Sequence, residues 1–210
     1  MKKFSLSLLM VLVMTGGIFA AAMPKATRIQ GTLTAASPSS LIVSTKSGTQ
    51  AVVITSKTRI LDLSKSSVDK VKNNSFIGTT VVPQADGSYK STEVHIFANS
   101  LRGMGEGFTK MNSTGSRMMA NSTVHMPVNM MANSTVHNMM SSAGGKTISM
   151  NFPGQKITIH IPATVPVSYI SDGKRSLLRS GQNVLVICNG QPGKLTAKTI
   201  VVIEPGASLM

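Results

Sequence analysis

The chain has 210 residues, with 21 Lys and Arg against 7 Asp and Glu, 4 His, a single Cys, 15 Met and no Trp. The length predicts one domain or two small ones. A charged fraction of only 13% argues against a coiled coil and against a long charged disordered tail. Seven carboxylates and four His leave little material for acid–base pairs, so we expect a protein that is not an enzyme.

The first 22 residues have the pattern of a secretory signal peptide. Lys2 and Lys3 precede an apolar run from Leu6 to Met14, and Ala20-Ala21-Ala22 offers the small residues that a signal peptidase needs. The run is too short to span a bilayer of about 30 Å as a stop-transfer helix. We therefore expect a periplasmic or secreted bacterial chain that starts near residue 23, with an uncleaved anchor as the alternative.

Cleavage would leave 19 basic and 7 acidic residues, a net charge of +12. Such a charge favours anionic partners, among them lipid head groups, lipopolysaccharide and nucleic acid. The basic residues are scattered, however, and Lys174-Arg175 is the one basic doublet that remains. Nucleic-acid sites usually combine clustered charge with stacking aromatics, and only 4% of these residues are aromatic. The pattern favours solvated surface charge, with an envelope polyanion as the alternative partner and nucleic acid disfavoured.

The single thiol lies in the apolar run from Val184 to Cys188. One Cys cannot close an internal disulfide, and burial is the commonest state of a free Cys. We predict that Cys188 fills part of a core.

Short runs rich in β-branched residues recur through the chain, separated by Gly-containing and Asn-containing turns. Alternation is clearest in Lys156 to Ile161, where three Ile share one face of a strand. A single helical turn is expected around Leu63 to Val71. The predicted strands are Leu41 to Val43, Ala51 to Ile54, Ile77 to Val82, Glu93 to Phe97, Thr147 to Met150, Lys156 to Ile161, Val184 to Ile187 and Lys198 to Ile203.

The two groups of strands match each other after a shift of 106 residues, which places Val94 on Ile200 and Phe97 on Ile203. Ile77 meets Val184 after a one-residue slip. The match predicts an all-β protein made of two tandem units, each a small OB-like or SH3-like five-stranded barrel. We assign residues 28–100 to the first unit, 101–133 to a connector rich in Gly, Met and His, and 134–204 to the second unit.

The segment Gln84-Ala85-Asp86-Gly87-Ser88, followed by Glu93 to Phe97 and by Arg102 to Gly107, resembles a family of exported bacterial proteins of unknown function. That family carries repeated small OB-like β domains, and the resemblance covers about residues 28 to 203. It implies the fold and an envelope location, and it implies no established activity. In that family an aromatic or His-rich stretch tends to follow the second Gly-rich turn. This chain departs from the family there, because Phe108 to Met111 takes the place of that stretch.

The run Arg102-Gly103-Met104-Gly105-Glu106-Gly107 has Gly at alternate positions, which permits positive φ. Arg102 has two possible roles: a pair with Glu106 that holds a structural hinge between the units, or a bidentate contact to an anionic ligand. The hinge is the favoured interpretation. No helical pattern follows Gly107, so the run does not indicate a dinucleotide site.

The most unusual segment is rich in Met and His, because the eight residues Met118 to His125 recur as Met130 to His137. Thioether and imidazole donors suit Cu(I) or Ag(I). The leading functional hypothesis is therefore a non-enzymatic envelope binding protein of unknown ligand that binds copper(I) or Ag(I) weakly through this tract. The alternative is a structural or polyanion-binding envelope component with no metal role. The candidate metal ligands are Met118, Met119, His125, Met126, Met130, Met131, His137, Met139 and Met140.

Blander interpretations compete with the metal site, and we favour the first of them. The repeat is then a tandem duplication whose second copy supplies the first strand of the second unit, aligned as Ser134 to Met140 over Arg28 to Thr34. Neighbouring Met residues on a strand point to opposite faces, so a doublet there cannot chelate one ion. A second interpretation is that Met serves as a flexible apolar filler, and a third is a sacrificial role toward oxidants. His95 and His160 are expected to be ordinary satisfied or exposed strand residues.

Overall fold

The computed structural model describes residues 26–110, 130–191 and 193–209. Its regular structure is almost entirely β, which confirms the predicted class. The strands are β1 Thr27–Ala36, β2 Ser40–Thr45, β3 Gly48–Val53, β4 Arg59–Lys65, β5 Phe76–Pro83, β6 Tyr89–Phe97, β7 Gly107–Lys110, β8 Met130–Ser142, β9 Gly145–Phe152, β10 Gln155–Pro162, β11 Val167–Asp172, β12 Asn183–Asn189 and β13 Leu195–Ile203.

Helical structure in the described residues is limited to three single turns of 3₁₀ helix, at Val68–Lys70, Asn99–Leu101 and Arg175–Leu177. None of them is long and apolar enough to cross a membrane. The helical turn predicted around Leu63 to Val71 is therefore present only in its second half, because its first residues belong to strand β4. Strands β4, β7 and β11 were not predicted from the sequence, and β1 and β8 were predicted only through the alignment of the two units.

The thirteen strands form a single sheet rather than two separate tandem barrels. Two sets of five strands nevertheless close on themselves within it. In the first ring, which consists of β1, β2, β3, β13 and β12, the closing pair is β3 with β13. In the second ring, which consists of β5, β6, β10, β9 and β8, the closing pair is β6 with β10. Strands β4 and β11 pair with each other and join the rings.

Each ring takes strands from both halves of the chain, and this corrects the tandem arrangement. Strand β1 pairs with β12, which follows it by about 150 residues, and β5 pairs with β8. The reason is that β4 does not fold back on β3. It pairs with β13 and β11 and leads the chain into the second ring, and β11 returns the chain to the first.

The pairing registers of the two rings repeat each other. A bulge after Leu33 in β1 corresponds to a bulge after Val136 in β8. A second bulge interrupts the pairing of β5 with β6 and, at the corresponding place, that of β12 with β13. Strands β4 and β11 are also counterparts in the two repeats. They pair with each other, and the corresponding residues Leu63 and Ile170 lie opposite each other. Leu33 thus corresponds to Val136, which shifts the predicted alignment of these two strands by three residues.

Apolar side chains form three clusters in the described residues. One lies inside the first ring and contains Leu33, Val186 and the fully buried Cys188, which confirms the prediction for the thiol. Burial in this cluster raises the pKa of Cys188, because a thiolate is poorly solvated there. The second lies inside the second ring. The third lies around β4 and β11, where the loop after β6 and the tail after β13 cover it.

Candidate functional site

The Met and His residues of the soft-metal hypothesis are only partly within the described residues. Met118, Met119, His125 and Met126 lie outside them. Met130, Met131, His137, Met139 and Met140 all belong to the continuous strand β8, as the duplication interpretation expects. Along this strand Met139 packs against the core of the second ring, whereas Met140 is 72% exposed. The doublet therefore points to opposite faces and does not converge on one point.

Arg102 and Glu106 do not form an ion pair in the described part of the chain. Arg102 donates from Nη1 to Thr135 Oγ1 at 2.8 Å and from Nη2 to the Asn74 carbonyl at 2.7 Å. Glu106 accepts a hydrogen bond from Ser134 Oγ at 3.4 Å. Both side chains thus fasten the loop after β6 to strand β8. The Gly-rich run is thus a loop within the second ring rather than the predicted hinge between two units, and its contacts differ from the predicted pair.

The motif Gln84 to Ser88 is a tight turn between β5 and β6. Ser88 donates to Asp86 Oδ1 from its backbone N at 3.0 Å and from its hydroxyl at 2.6 Å. These two hydrogen bonds lower the pKa of Asp86. Gly87 occupies the left-handed region at φ 81°, which explains the Asp-Gly pair. The motif that carries the family resemblance is therefore a structural turn here.

A row of buried polar residues crosses the second ring on the side that faces the third cluster. Asn133 of β8 and His95 of β6 both pair with Gly78 of β5, and His95 also pairs with Ser168 of β11. A Cβ atom on Gly78 would lie 2.5 Å from Asn133 Oδ1, so the glycine leaves room for the amide. Ser168 exchanges two hydrogen bonds of 3.1 Å with Ser208 of the tail.

Within this row His95 is 5% exposed and Glu93, two residues earlier on the same face of β6, is 7% exposed. His95 Nε2 lies 3.6 Å from Glu93 Oε1, which is close enough for an ion pair and too long for a hydrogen bond. Glu93 Oε1, His95 Nδ1 and Asn133 Oδ1 have no hydrogen-bond partner among the described residues. Burial lowers the pKa of His95, and the opposing attraction of Glu93 is the smaller effect.

This buried pair differs from the sequence expectation that His95 is satisfied or exposed. The signal that could have found it is the alternation of β6, in which Glu93, His95 and Phe97 share one face while Val94 and Ile96 share the other. The corresponding position in the first ring is the apolar Val201. His160, in contrast, is exposed and lies 2.9 Å from Thr147 Oγ1 through Nδ1, as expected.

A groove of about 1130 Å³ lies on the first ring. Its floor is the start of β1, with the outward residues Arg28 and Gln30. One wall is the end of β2 and the following turn, with Lys46, and the other is the C-terminal tail, with Leu209. No carboxylate lines it among the described residues. No sequence pattern indicates this groove, because its walls come from three distant parts of the chain.

The described residues contain all seven carboxylate residues and all but four of the 21 Lys and Arg. Only one ion pair there joins a carboxylate to an Arg or Lys, between Arg59 and Asp172 at 3.3 Å. A hydrogen bond from Ser100 and the Arg59 charge together lower the pKa of Asp172. The basic side chains in the described part of the chain are thus largely without a carboxylate partner.

Comparison with protein-family models, with curated proteins and with solved structures finds no match to this chain.

Proposed function

We propose that this chain is an exported, non-enzymatic binding protein of the bacterial envelope whose basic surface holds anionic envelope polymers. The observation that carries the proposal is the unpaired positive charge. Seven carboxylates cannot neutralise the basic residues, and a single Arg–carboxylate ion pair is present in the described part of the chain. Unpaired surface cations attract polyanions and release their counterions on binding. The signal-like N-terminus and the family resemblance support the envelope location.

The two rings are, in this proposal, small OB-like barrels that strands β4 and β11 join. Each buries an apolar cluster inside five strands. Joining them through β4 and β11 places the basic residues of both rings on one continuous sheet. All six described aromatic residues lie outside the strands of the first ring. These strands therefore offer no aromatic side chain on which the bases of a nucleic acid could stack.

The test is retention of the purified mature chain on immobilised heparin and on lipopolysaccharide vesicles over a range of salt concentrations. The proposal predicts an affinity whose logarithm falls linearly with the logarithm of the salt concentration, because counterion release drives the binding. Retention that is absent at low salt, or that does not change with salt, would contradict it.

Soft-metal binding is the second candidate, and the exposed side chains of His137 and Met140 on β8 favour it. Because the Met139–Met140 doublet points to both faces of the strand, an ion would need donors from more than one segment. Titration with Cu(I) against a competing chelator tests it. Replacement of Met118, Met119, Met130, Met131, His125 and His137 should abolish the affinity, and an unchanged affinity would rule the candidate out.

A further inference from the structure

At the start of β1, the edge that faces the groove of the first ring has no partner strand among the described residues. Leu33 directs its backbone N–H and C=O toward the segment before β12, since it bonds Gln182 and Gly181 at 2.8 Å each. Backbone groups alternate along a strand, so those of Arg28 and Gln30 point to the opposite side. Strand β2 pairs with β1 only from Thr32 onward. No strand among the described residues pairs with Arg28 and Gln30 on that side.

In the second ring the corresponding edge is occupied by the chain itself. The bulges identify Met131 and Asn133 of β8 as the counterparts of Arg28 and Gln30. Strand β7 pairs with that edge in antiparallel fashion, from Gly107 with Asn133 to Lys110 with Met130. This edge of β8 therefore binds an additional strand, and the backbone of β1 has the same arrangement at the corresponding residues.

Side chains fix β7 in this position. Phe108 stacks on Phe152 with ring centroids 5.5 Å apart and meets Tyr89 edge-on at 5.2 Å. Asn133 Nδ2 adds a hydrogen bond of 3.1 Å to the Gly105 carbonyl. The pairing registers place Thr45 and Leu195 of the first ring at the positions of Phe152 and Tyr89. Both of these residues line the groove.

We propose that the groove of the first ring binds an extended acidic segment of another polypeptide, which adds as a strand to the edge of β1 at Arg28 and Gln30. Backbone pairing supplies the affinity, as in other cases of strand addition. The positive side chains of Arg28 and Lys46, in a groove without a carboxylate among the described residues, select acidic residues at alternate positions. This inference goes beyond general polyanion binding, because it needs the open backbone edge as well as the charge.

The test measures binding of a fluorescein-labelled peptide of roughly eight residues, in which Glu alternates with Val and Phe, by fluorescence polarisation. Two matched probes carry Lys in place of Glu, or N-methylated amides at alternate positions. We expect saturable binding of the acidic peptide and a loss of about tenfold or more for each matched probe. Hydrogen exchange at the amides of Arg28 and Gln30 should slow when the acidic peptide is bound.

Protein variants separate the groove from diffuse charge. The double variant Arg28→Gln/Lys46→Gln should weaken binding about tenfold or more. The control Lys57→Gln/Lys198→Gln removes the same charge from exposed residues outside the groove and should leave the affinity within about twofold. Equal loss in both variants would overturn the inference while leaving polyanion binding intact.

Other outcomes also overturn it. Undetectable binding of the acidic peptide, or unchanged binding after N-methylation, would show that no peptide strand pairs with the backbone of β1. Dimers in sedimentation that dissociate on addition of the peptide would show that the occupant is a second copy of this chain. Slow hydrogen exchange at Arg28 and Gln30 in the free monomer would show that a segment of the chain itself already covers the edge.

Discussion

At the scale of single residues, the least expected feature is the buried pair of Glu93 and His95. Both residues are more than nine-tenths buried, and one side-chain atom of each lacks a hydrogen-bond partner among the described residues. Burial of a polar group without full hydrogen bonding costs free energy. The cost is larger for a charged imidazole than for a neutral one. The neutral form of His95 is therefore favoured in the folded protein.

This burial makes the stability of the protein depend on pH. The pKa of His95 in the folded chain lies below the value of 6.5 for an unfolded His. As the pH falls below 6.5, His95 therefore becomes protonated in the unfolded chain before it does so in the folded chain. The free energy of unfolding should fall as the pH drops below 6.5, by up to about 1.4 kcal/mol per pH unit. Urea unfolding at several pH values measures this slope.

His95→Gln should flatten that slope, because the titrating group is gone. His160→Gln provides the control, since His160 is an exposed strand residue on β10. Equal slopes in the parent chain and in His95→Gln would show that burial of His95 does not control the response.

Residue patterns predicted some of these environments and not others. The apolar run around Cys188 correctly indicated a buried thiol, because local hydrophobicity is enough for that inference. The sequence predicts only part of the role of Arg102. Its Gly-rich surroundings indicated a structural loop, but its partners Asn74 and Thr135 are far away in the chain and no local pattern points to them.

At the scale of elements, Arg102 connects the loop after β6 to strand β8. Arg102→Ala should reduce the free energy of unfolding by about 1 kcal/mol, because it leaves the Asn74 carbonyl and the Thr135 hydroxyl without their charged donor. Arg102→Lys should recover little of this loss, because a single ammonium cannot reach both acceptors as the guanidinium fork does.

Arg28→Ala is the matched control for Arg102→Ala, since Arg28 is exposed on β1 and should change the stability by no more than about 0.5 kcal/mol. Urea unfolding of the three variants checks the prediction. A loss for Arg28→Ala as large as that for Arg102→Ala would contradict it.

Most strands were predictable and the two joining strands were not. Alternation and turn residues indicated strands such as Lys156 to Ile161 because one of their faces is buried and the other is exposed. Strand β4 lies between β13 and β11 and buries residues on both faces, among them Ile60 and Leu61. Its run of apolar residues therefore lacks strict alternation, and the sequence pattern predicts a helical turn over its last residues instead.

At the scale of the whole molecule, the internal repeat explains why strand partners could not be predicted. The two halves have matching strands, so β12 and β13 can complete the ring of β1 to β3 about as well as β5 and β6 can. The sequence specifies which residues face inward, and both arrangements satisfy that requirement. The pairing of β4 with β11 selects the exchanged arrangement, and it is a contact between distant segments.

The exchanged arrangement also creates the groove, because β12 holds β1 with the edge of Arg28 and Gln30 open and the tail after β13 lines the opposite wall. If each half closed on itself, β1 would pair with a different strand and the tail would lie elsewhere. The functional proposals for the first ring therefore depend on the pairing of β1 with β12.

A single substitution tests this pairing directly, because Thr27 of β1 lies opposite Cys188 of β12 and the chain has no other Cys. Register partners on adjacent strands are within the Cα separation that a disulfide bridges. After mild oxidation of Thr27→Cys, the account predicts a monomeric chain whose peptide map contains residues 27 and 188 in one linked fragment. Thr34→Cys, at the far end of β1, should give no such link. Failure of Thr27→Cys to link within the monomer would contradict the exchanged arrangement and the groove that depends on it.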